Sequence, residues 1–285
     1  MPKISVLMPV YKTDKKYLRE AIESILNQTF SDFEFLILDD CPDDDREKIV
    51  KSYKDKRIKY SKNEKNLGIT PSRNKLIDMA QGEYLAIFDH DDISMPERFA
   101  KQVAYLDKHP KVGVVSAKVI RMSNGHPSRN PTEDHDIKLA LMRSCALNHT
   151  VSMVRKKVLT DNNIRYEERF SPAEDYALWC RLIPYTEFYN LNDEVLLKYR
   201  DHINNTSHRQ SKKMEQAGLA VCAFVKAQTP ELYEEFILKA AHTTRIRLFG
   251  FIPFLTIIKQ AHKTKIYLFE YVPLFTSKTS IKWRG

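Results

Sequence analysis

Residues 84–99 read YLAIFDHDDISMPERF. A run with an apolar bias stops abruptly at Asp89, His90, Asp91 and Asp92. Three carboxylates within four positions repel one another. A chain that places them directly after a buried strand must compensate them there, with solvent or with a cation. A second run, FEFLILDD at 33–40, ends the same way at Asp39 and Asp40.

Around these two runs, strand and helix patterns alternate through the first 120 residues. ISVLMPV (4–10) is a strand. YLREAIESILNQT (17–29) carries a helical stripe at Leu18, Ile22, Ile25 and Leu26. DDDREKIVKSYK (43–54) is a helix with acids in its first turn, the favourable end of the helix dipole. RIKYSKN (57–63) is a short strand. TPSRNKLIDMAQG (70–82) is a helix with Thr70 as N-cap, Pro71 at the first helical position and Gly82 past its end. A helix at 96–109 and a strand at 112–119 follow. This alternation predicts an α/β fold with a doubly wound, mostly parallel sheet, covered by helices on both faces. Ligands of such sheets bind beyond the carboxyl ends of the strands. Asp39, Asp40 and the 89–92 cluster are therefore expected to converge on one edge.

From 121 to 205 the pattern loosens. DIKLALMRSCAL reads as a helix, HTVSMVRKKVL as strand then turn, AEDYALWCRLIP as a short helix and DEVLLKYRDH as a late strand. Trp179 and Leu182 are expected in the core. Residues 208–240 are mostly helical, which sets domains at 1–207 and 208–285. The C-terminal segment repeats: TRIRLFGFIPFLT (244–256) aligns with TKIYLFEYVPLFT (264–276), Pro253 over Pro273.

The formal net charge is +9 in 285 residues, and residues 241–285 carry eight Lys or Arg against Glu270 alone. The tail thus holds most of the excess, and the body is nearly neutral. A nucleic-acid binder would spread that charge over the body. Four cysteines without a CxxC pair fit a reducing compartment rather than a disulfide frame or a zinc site. No signal peptide is expected, and no apolar run reaches the ~18 residues of a membrane span. The G-x-G-x-x-G of a dehydrogenase is missing.

Alternation along an extended strand end turns Asp89 and Asp91 the same way and Asp92 and His90 the other. Paired carboxylates suit Mg²⁺ or Mn²⁺, which leave positions open for substrate phosphates. The plainer reading is a loop of solvated acids, with Asp92 capping the next helix.

With these residues in place, the chain resembles the GT-A glycosyltransferases, in particular the inverting family 2, over about residues 3–205. The resemblance rests on SVLMPVY (5–11), ILNQTFSDFEFLILDD (25–40), EKNLGITPSRN (64–74), FDHDD (88–92) and EDYALWCRL (174–182), in this order. It implies a Rossmann-like GT-A domain with a helical, basic C-terminal tail. It also implies nucleotide contacts from Pro9, Tyr11, Asp39, Asp40, Arg73 and Asp89, and metal contacts from Asp89 and Asp91. Asp175 would be the general base, supported by Glu174. A histidine after the late strand, here His202, would reach the metal or diphosphate. One departure is DDCPDDD (39–45) in place of DDGSTD, which leaves Asp40 less secured than Asp39.

The implied reaction moves one sugar from a nucleotide sugar, a UDP-sugar, to a hydroxyl of a glycan or lipid-linked acceptor. Similar basic-aromatic tails accompany bacterial enzymes of lipopolysaccharide and capsule assembly. The expected location is therefore cytoplasmic, peripheral on the inner membrane face, with the tail on anionic lipid. The alternatives are a sugar nucleotidyltransferase, whose glycine-rich phosphate loop is absent, and an inactive nucleotide-binding scaffold. A tail packed on the domain or on another copy is the bland alternative to membrane contact.

Overall fold

The computed structural model describes residues 1–43, 45–201, 210–239 and, within 242–278, four strands. By internal contacts the chain divides into two units, Met1–Val225 and Lys226–Gly285.

In the first unit the elements follow as β1 (Ile4–Val10), α1 (Lys15–Leu26), β2 (Phe33–Asp39), α2 (Arg46–Ser52), β3 (Ile58–Lys62), α3 (Ile69–Met79), β4 (Tyr84–Ile87), β5 (Ile93–Ser94), α4 (Arg98–Lys108) and β6 (Val112–Arg121). Then come α5 (Asp134–Ala140), β7 (Met153–Arg155), α6 (Lys156–Asp161), α7 (Glu174–Leu182), β8 (Glu187–Tyr199) and α8 (Ser211–Gln228). The sheet order is β3-β2-β1-β4-β7-β6-β8-β5. β3, β2, β1 and β4 are parallel neighbours, as the alternating pattern predicts.

β6 does not lie beside β4. The three-residue β7 sits between them, antiparallel to both. β6 still runs parallel to β4, one place further out, and β8 pairs parallel with β6. β7 follows 31 residues without a strand, so no local period announces its place. The two-residue β5 pairs with β8 directly after the acid cluster and ties that loop to the sheet edge.

The core lies between the sheet and its helices. Leu18, Ala21, Ile22 and Ile25 of α1 are fully buried, which is the stripe read from the sequence shifted by one side chain, with Leu26 only partly covered. Asp14 caps α1 by accepting from the amides of Lys16 and Tyr17 at 2.8 and 3.3 Å. α3 starts two residues earlier than expected. Gly68, at φ +88°, is its N-cap, and Thr70 lies inside the helix with its buried hydroxyl unpartnered among the described residues. Thr70 therefore does not cap. Gly82 does more than end α3. A Cβ there would stand 2.5 Å from the Ser5 nitrogen and 2.6 Å from the Ile4 carbonyl carbon, so only glycine lets the chain pass β1. Trp179 and Leu182 are buried, as expected.

The domain boundary differs from the expected 207. Val221 and Val225 of α8 are buried, Phe224 lies 5.4 Å from Phe170, and the Cys222 sulfur meets the Tyr176 hydroxyl at 3.4 Å. Most of α8 thus belongs to the first unit, because its apolar face is used there.

The second unit contains α9 (Pro230–Lys239), which with α8 supplies the expected helical C-terminal region. Beyond it the described residues are strands and not the expected helix. β9 (His242–Leu248), β10 (Ile252–Gln260), β11 (Lys263–Leu268) and β12 (Val272–Lys278) form an antiparallel sheet in the order β12-β11-β10-β9. Isoleucine, threonine and tyrosine in alternation favour strands.

Candidate active site

The ends of β1, β2 and β4 share one edge because the three strands are in parallel register, with Val10 opposite Asp39 and Leu7 opposite Ile87. This brings Pro9, Tyr11, Asp39 and Asp89 to the same side of the sheet. Pro9 is buried in β1, while Tyr11 is exposed just past it, with the Lys12 ammonium 5.2 Å from its ring centroid.

Asp39 is buried and held from two sides. The Cys41 amide donates to one oxygen at 2.9 Å, and the Tyr60 hydroxyl to the other at 3.0 Å. Asp40 is buried and held inside the protein. It accepts from the Asn63 side chain, the Leu67 amide and the Gly68 amide, each at 2.8 Å. Asp40 was expected among the nucleotide contacts; here its carboxylate shapes the 66–68 loop that starts α3. The exchange of Gly-Ser for Cys41-Pro42 leaves this link intact.

The acid cluster splits, but not by strand alternation: β4 ends at Ile87, and 89–92 form a turn in which the Asp92 amide faces the Asp89 carbonyl at 3.5 Å. Asp89 and Asp91 stay partly open, with side chains 31% and 16% exposed. Asp92 is buried. Its carboxylate accepts from the Thr150 hydroxyl at 2.9 Å and from the Arg200 amide at 2.9 Å. It does not cap α4, whose N-cap is Glu97. Burial, then the charges of Asp91 and Asp89, push the Asp92 carboxyl well above the usual range. The Thr150 hydroxyl also accepts from the Asp89 amide at 3.1 Å. His90 was expected to turn away; instead its Nδ1 lies 2.8 Å from the Thr13 hydroxyl and 4.0 Å from an Asp91 oxygen. Arg200 closes the loop from outside. Its Nε donates to the Asp91 carbonyl at 2.7 Å, its guanidinium reaches Glu20, and it lies 4.1 Å from the Tyr17 ring centroid.

Arg73 is the centre of the site. Its guanidinium donates to Glu174 at 2.7 Å and to Asp89 at 3.4 Å, with Tyr166 below it at 5.5 Å. Burial would pull its pKa down, but Asp89 and Glu174 more than offset this and hold it raised. Arg73 is thus not an exposed helix arginine. It joins the D-x-D loop to the E-D pair at the start of α7. Glu174 is buried, and its second oxygen has no partner among the described residues.

Asp175 is half-buried in the first turn of α7 and accepts from the Tyr176 amide at 2.7 Å. Burial and the neighbouring Glu174 push its carboxyl up to about 6, against the lowering effect of Arg73. Behind it, His149 bonds the Tyr166 hydroxyl at 2.8 Å and packs near Trp179. Burial, then Arg73, keep that imidazole well below its usual pKa, so it is neutral.

His202 lies outside the described residues. Among the described residues, no three His, Cys, Asp or Glu side chains are arranged to hold a metal. Asp89 and Asp91 offer two hard oxygen ligands, the right donor type for Mg²⁺ or Mn²⁺ when substrate phosphates supply the rest. Sequence reading missed Thr150, Tyr166 and Arg200. Arg200 stands two places before His202, but nothing in YRDH marks it as a partner of residues more than a hundred positions away.

The model of the family described as Glycosyl transferase family 2 matches residues 5–164, which contain both acidic strand ends and Arg73. The chain belongs to glycosyl transferase family 2. This transferase is 38% identical over 207 residues to the uncharacterized glycosyltransferase MJ1057 of Methanocaldococcus jannaschii, covering 70% of this chain and 71% of that one. It is 29% identical over 236 residues to the O-antigen biosynthesis glycosyltransferase WbnJ of Escherichia coli, covering 79% of this chain and 90% of WbnJ. Its fold matches S. aureus TarS 1–349 in complex with UDP-GlcNAc, with a TM-score of 0.69 at 24% identity over 82% of this chain and 71% of that one. The transferase therefore has the GT-A fold. No helix among the described residues is long and apolar enough to cross a membrane.

Proposed function

We propose that the enzyme transfers one sugar from a UDP-sugar to a hydroxyl of a cell-surface glycan or its lipid-linked precursor, with inversion at the anomeric carbon. The observation that carries this reading is the Arg73 bridge. One guanidinium binds both Glu174, beside Asp175, and Asp89 of the D-x-D loop. The proton acceptor and the acids that would face the donor are thereby held about one space. TarS, with UDP-GlcNAc, and WbnJ, in O-antigen biosynthesis, agree with this donor and acceptor class.

Asp175 accepts the proton of the acceptor hydroxyl as that oxygen bonds to the anomeric carbon. The carbon–oxygen bond to the diphosphate breaks with its electron pair, and UDP leaves. A carboxylate with a pKa of about 6 is ionised at neutral pH yet more basic than an ordinary aspartate. Positioned proton transfer of this kind contributes about 10²- to 10⁴-fold. Attack from the Asp175 side, opposite the diphosphate, inverts the centre, and no carboxylate nucleophile is needed. Asp39 and Tyr11 would hold the ribose and base. Asp91 and Asp89 would hold a divalent cation, which when bound neutralises the leaving diphosphate.

The test is Asp175→Asn. It should abolish transfer while UDP-sugar binding, followed by thermal shift with Mn²⁺, stays near wild type. Transfer at a wild-type rate would reject the base. We further propose that the basic C-terminal unit holds the enzyme on the inner face of the cell membrane, where lipid-linked acceptors lie.

A further inference from the structure

Away from the catalytic edge, a groove of about 580 Å³ opens between the end of α4, the start of α5 and the starts of β6 and β8. Its position follows from the strand register. Leu85 of β4 lies opposite Val154, and Val154 opposite Val114 of β6. Val112, in the groove wall, precedes Val114, whereas Asp89 follows Leu85. Because β4 and β6 run the same way, the groove stands about 20 Å from the acid cluster, at the opposite edge of the sheet.

Three aromatic rings form a column in this groove. Tyr105 stacks on His109 at 4.0 Å and 20°, and on Tyr189 at 4.2 Å and 19°. Two rings so close and so nearly parallel cannot share one face of Tyr105, so they cover its two faces. Tyr105 and His109 are one helical turn apart on α4, and Tyr189 pairs with Val115 in the sheet. The Tyr105 and Tyr189 hydroxyls are hydrogen-bonded to each other, and His109 Nδ1 lies 2.8 Å from the Tyr105 carbonyl. Helix and strand thus hold the column in place, yet all three side chains are only half-buried.

The rim carries charges that the protein does not use. Glu133, Glu187, Lys108 and Lys111 line the groove, and none has an ion pair or a side-chain hydrogen bond among the described residues. Asp134 differs: it accepts from the Phe188 amide at 2.9 Å and pairs with Lys138 at 2.9 Å. The unpaired charges balance in sign. A phosphate-rich ligand would meet two carboxylates, and an apolar segment would bury four charges without partners, which is costly. A neutral pyranose suits both parts of the groove. Its C–H face lies on the electron-rich face of a ring. Its hydroxyls donate to carboxylates and accept from ammonium groups. The volume is that of a small-ligand site.

We propose that this groove is a second carbohydrate site, which holds a neutral pyranose segment of the acceptor glycan remote from its reacting end. That occupant rests on the glycan acceptor proposed above and deepens it. The distance to the acid cluster means that the sugars bound here are not the ones that react.

The test is calorimetric titration of the full chain with maltohexaose, cellohexaose and chitohexaose. At least one should bind in the millimolar range. Tyr189→Leu, which keeps the apolar packing but removes the ring, should weaken binding roughly tenfold. Glu133→Gln and Lys111→Gln, both on exposed residues, should each weaken it about fivefold. Lys51→Gln and Lys157→Gln, elsewhere on the exposed surface, should bind as wild type does, and so should Asp175→Asn at the catalytic edge. Binding of none of the three sugars, wild-type binding by the groove variants, or loss of binding in Asp175→Asn alone would overturn the proposal. UDP-sugar binding, followed on the same preparations by thermal shift, shows that each variant is folded. Should Tyr189→Leu fail to fold, the two rim variants decide. Absence of UDP-sugar binding in the wild type would count against the transferase reading and leave the oligosaccharide result standing.

Discussion

Arg73 and Glu174 lie 101 residues apart in the chain and 2.7 Å apart in space. The arginine leaves α3 and the glutamate opens α7, so the pair joins the D-x-D side of the sheet edge to the E-D pair. Both side chains are largely buried, at 12% and 5% exposure.

Arg73→Met should therefore cost about 3–5 kcal/mol, as expected when one partner of a buried ion pair is removed. Urea unfolding measures it. Arg73→Lys keeps the charge but loses the two-pronged geometry that reaches Glu174 and Asp89 together. It should recover only part of the loss. A stability unchanged in Arg73→Met would show that the bridge is not formed in solution.

The rate of transfer should rise with pH through about 6, because Asp175 must be ionised to accept a proton. The stability effect has the opposite sign. Its folded carboxyl binds a proton more readily than the unfolded one, near 3.8. This contribution is full below about 3.8 and is lost as pH rises through about 6. Asp175→Asn should remove it, so the stability difference between variant and wild type should vary with pH across that window. Parallel stability curves would contradict the raised carboxyl.

Thr150→Val leaves buried Asp92 without one of its two hydrogen-bond donors and the Asp89 amide without its acceptor. The loss should be about 1–3 kcal/mol by unfolding. Thr150→Ser keeps the hydroxyl and should lie much closer to wild type. Equal effects of Val and Ser would remove the hydrogen bonds as the cause.

Gly82→Ala should destabilise by at least the about 1–3 kcal/mol of an overpacked core, since the new carbon meets backbone atoms of β1 that cannot swing aside. Gly218→Ala, in α8 with nothing within 4 Å, should instead stabilise by about 0.5–1 kcal/mol. Thermal denaturation of the two variants separates close approach from helix propensity.

What could be read from the sequence followed local periods. Acids after apolar runs marked the edge of the sheet at Asp39 and Asp89, but strand alternation could not sort the cluster, because 89–92 is a turn that leaves His90 beside Asp91. Thr70 failed as a cap because Gly68, two residues earlier, takes the positive φ that starts α3. Asp40 read like Asp39, its neighbour and equal in chemistry. Only the loop folding back over it reveals that its oxygens accept from Asn63, Leu67 and Gly68.

The sequence by itself determined the parallel strands, the helices between them and the acids at their ends, because those depend on spacings of a few residues. The tertiary structure alone decided which charges meet. Arg73 with Glu174, Asp92 with Thr150 and Arg200 with Glu20 are pairs separated by tens to hundreds of residues. The insertion of β7 between β4 and β6 belongs to the same class. Such contacts are set by how the sheet orders its strands, and no local pattern encodes that order.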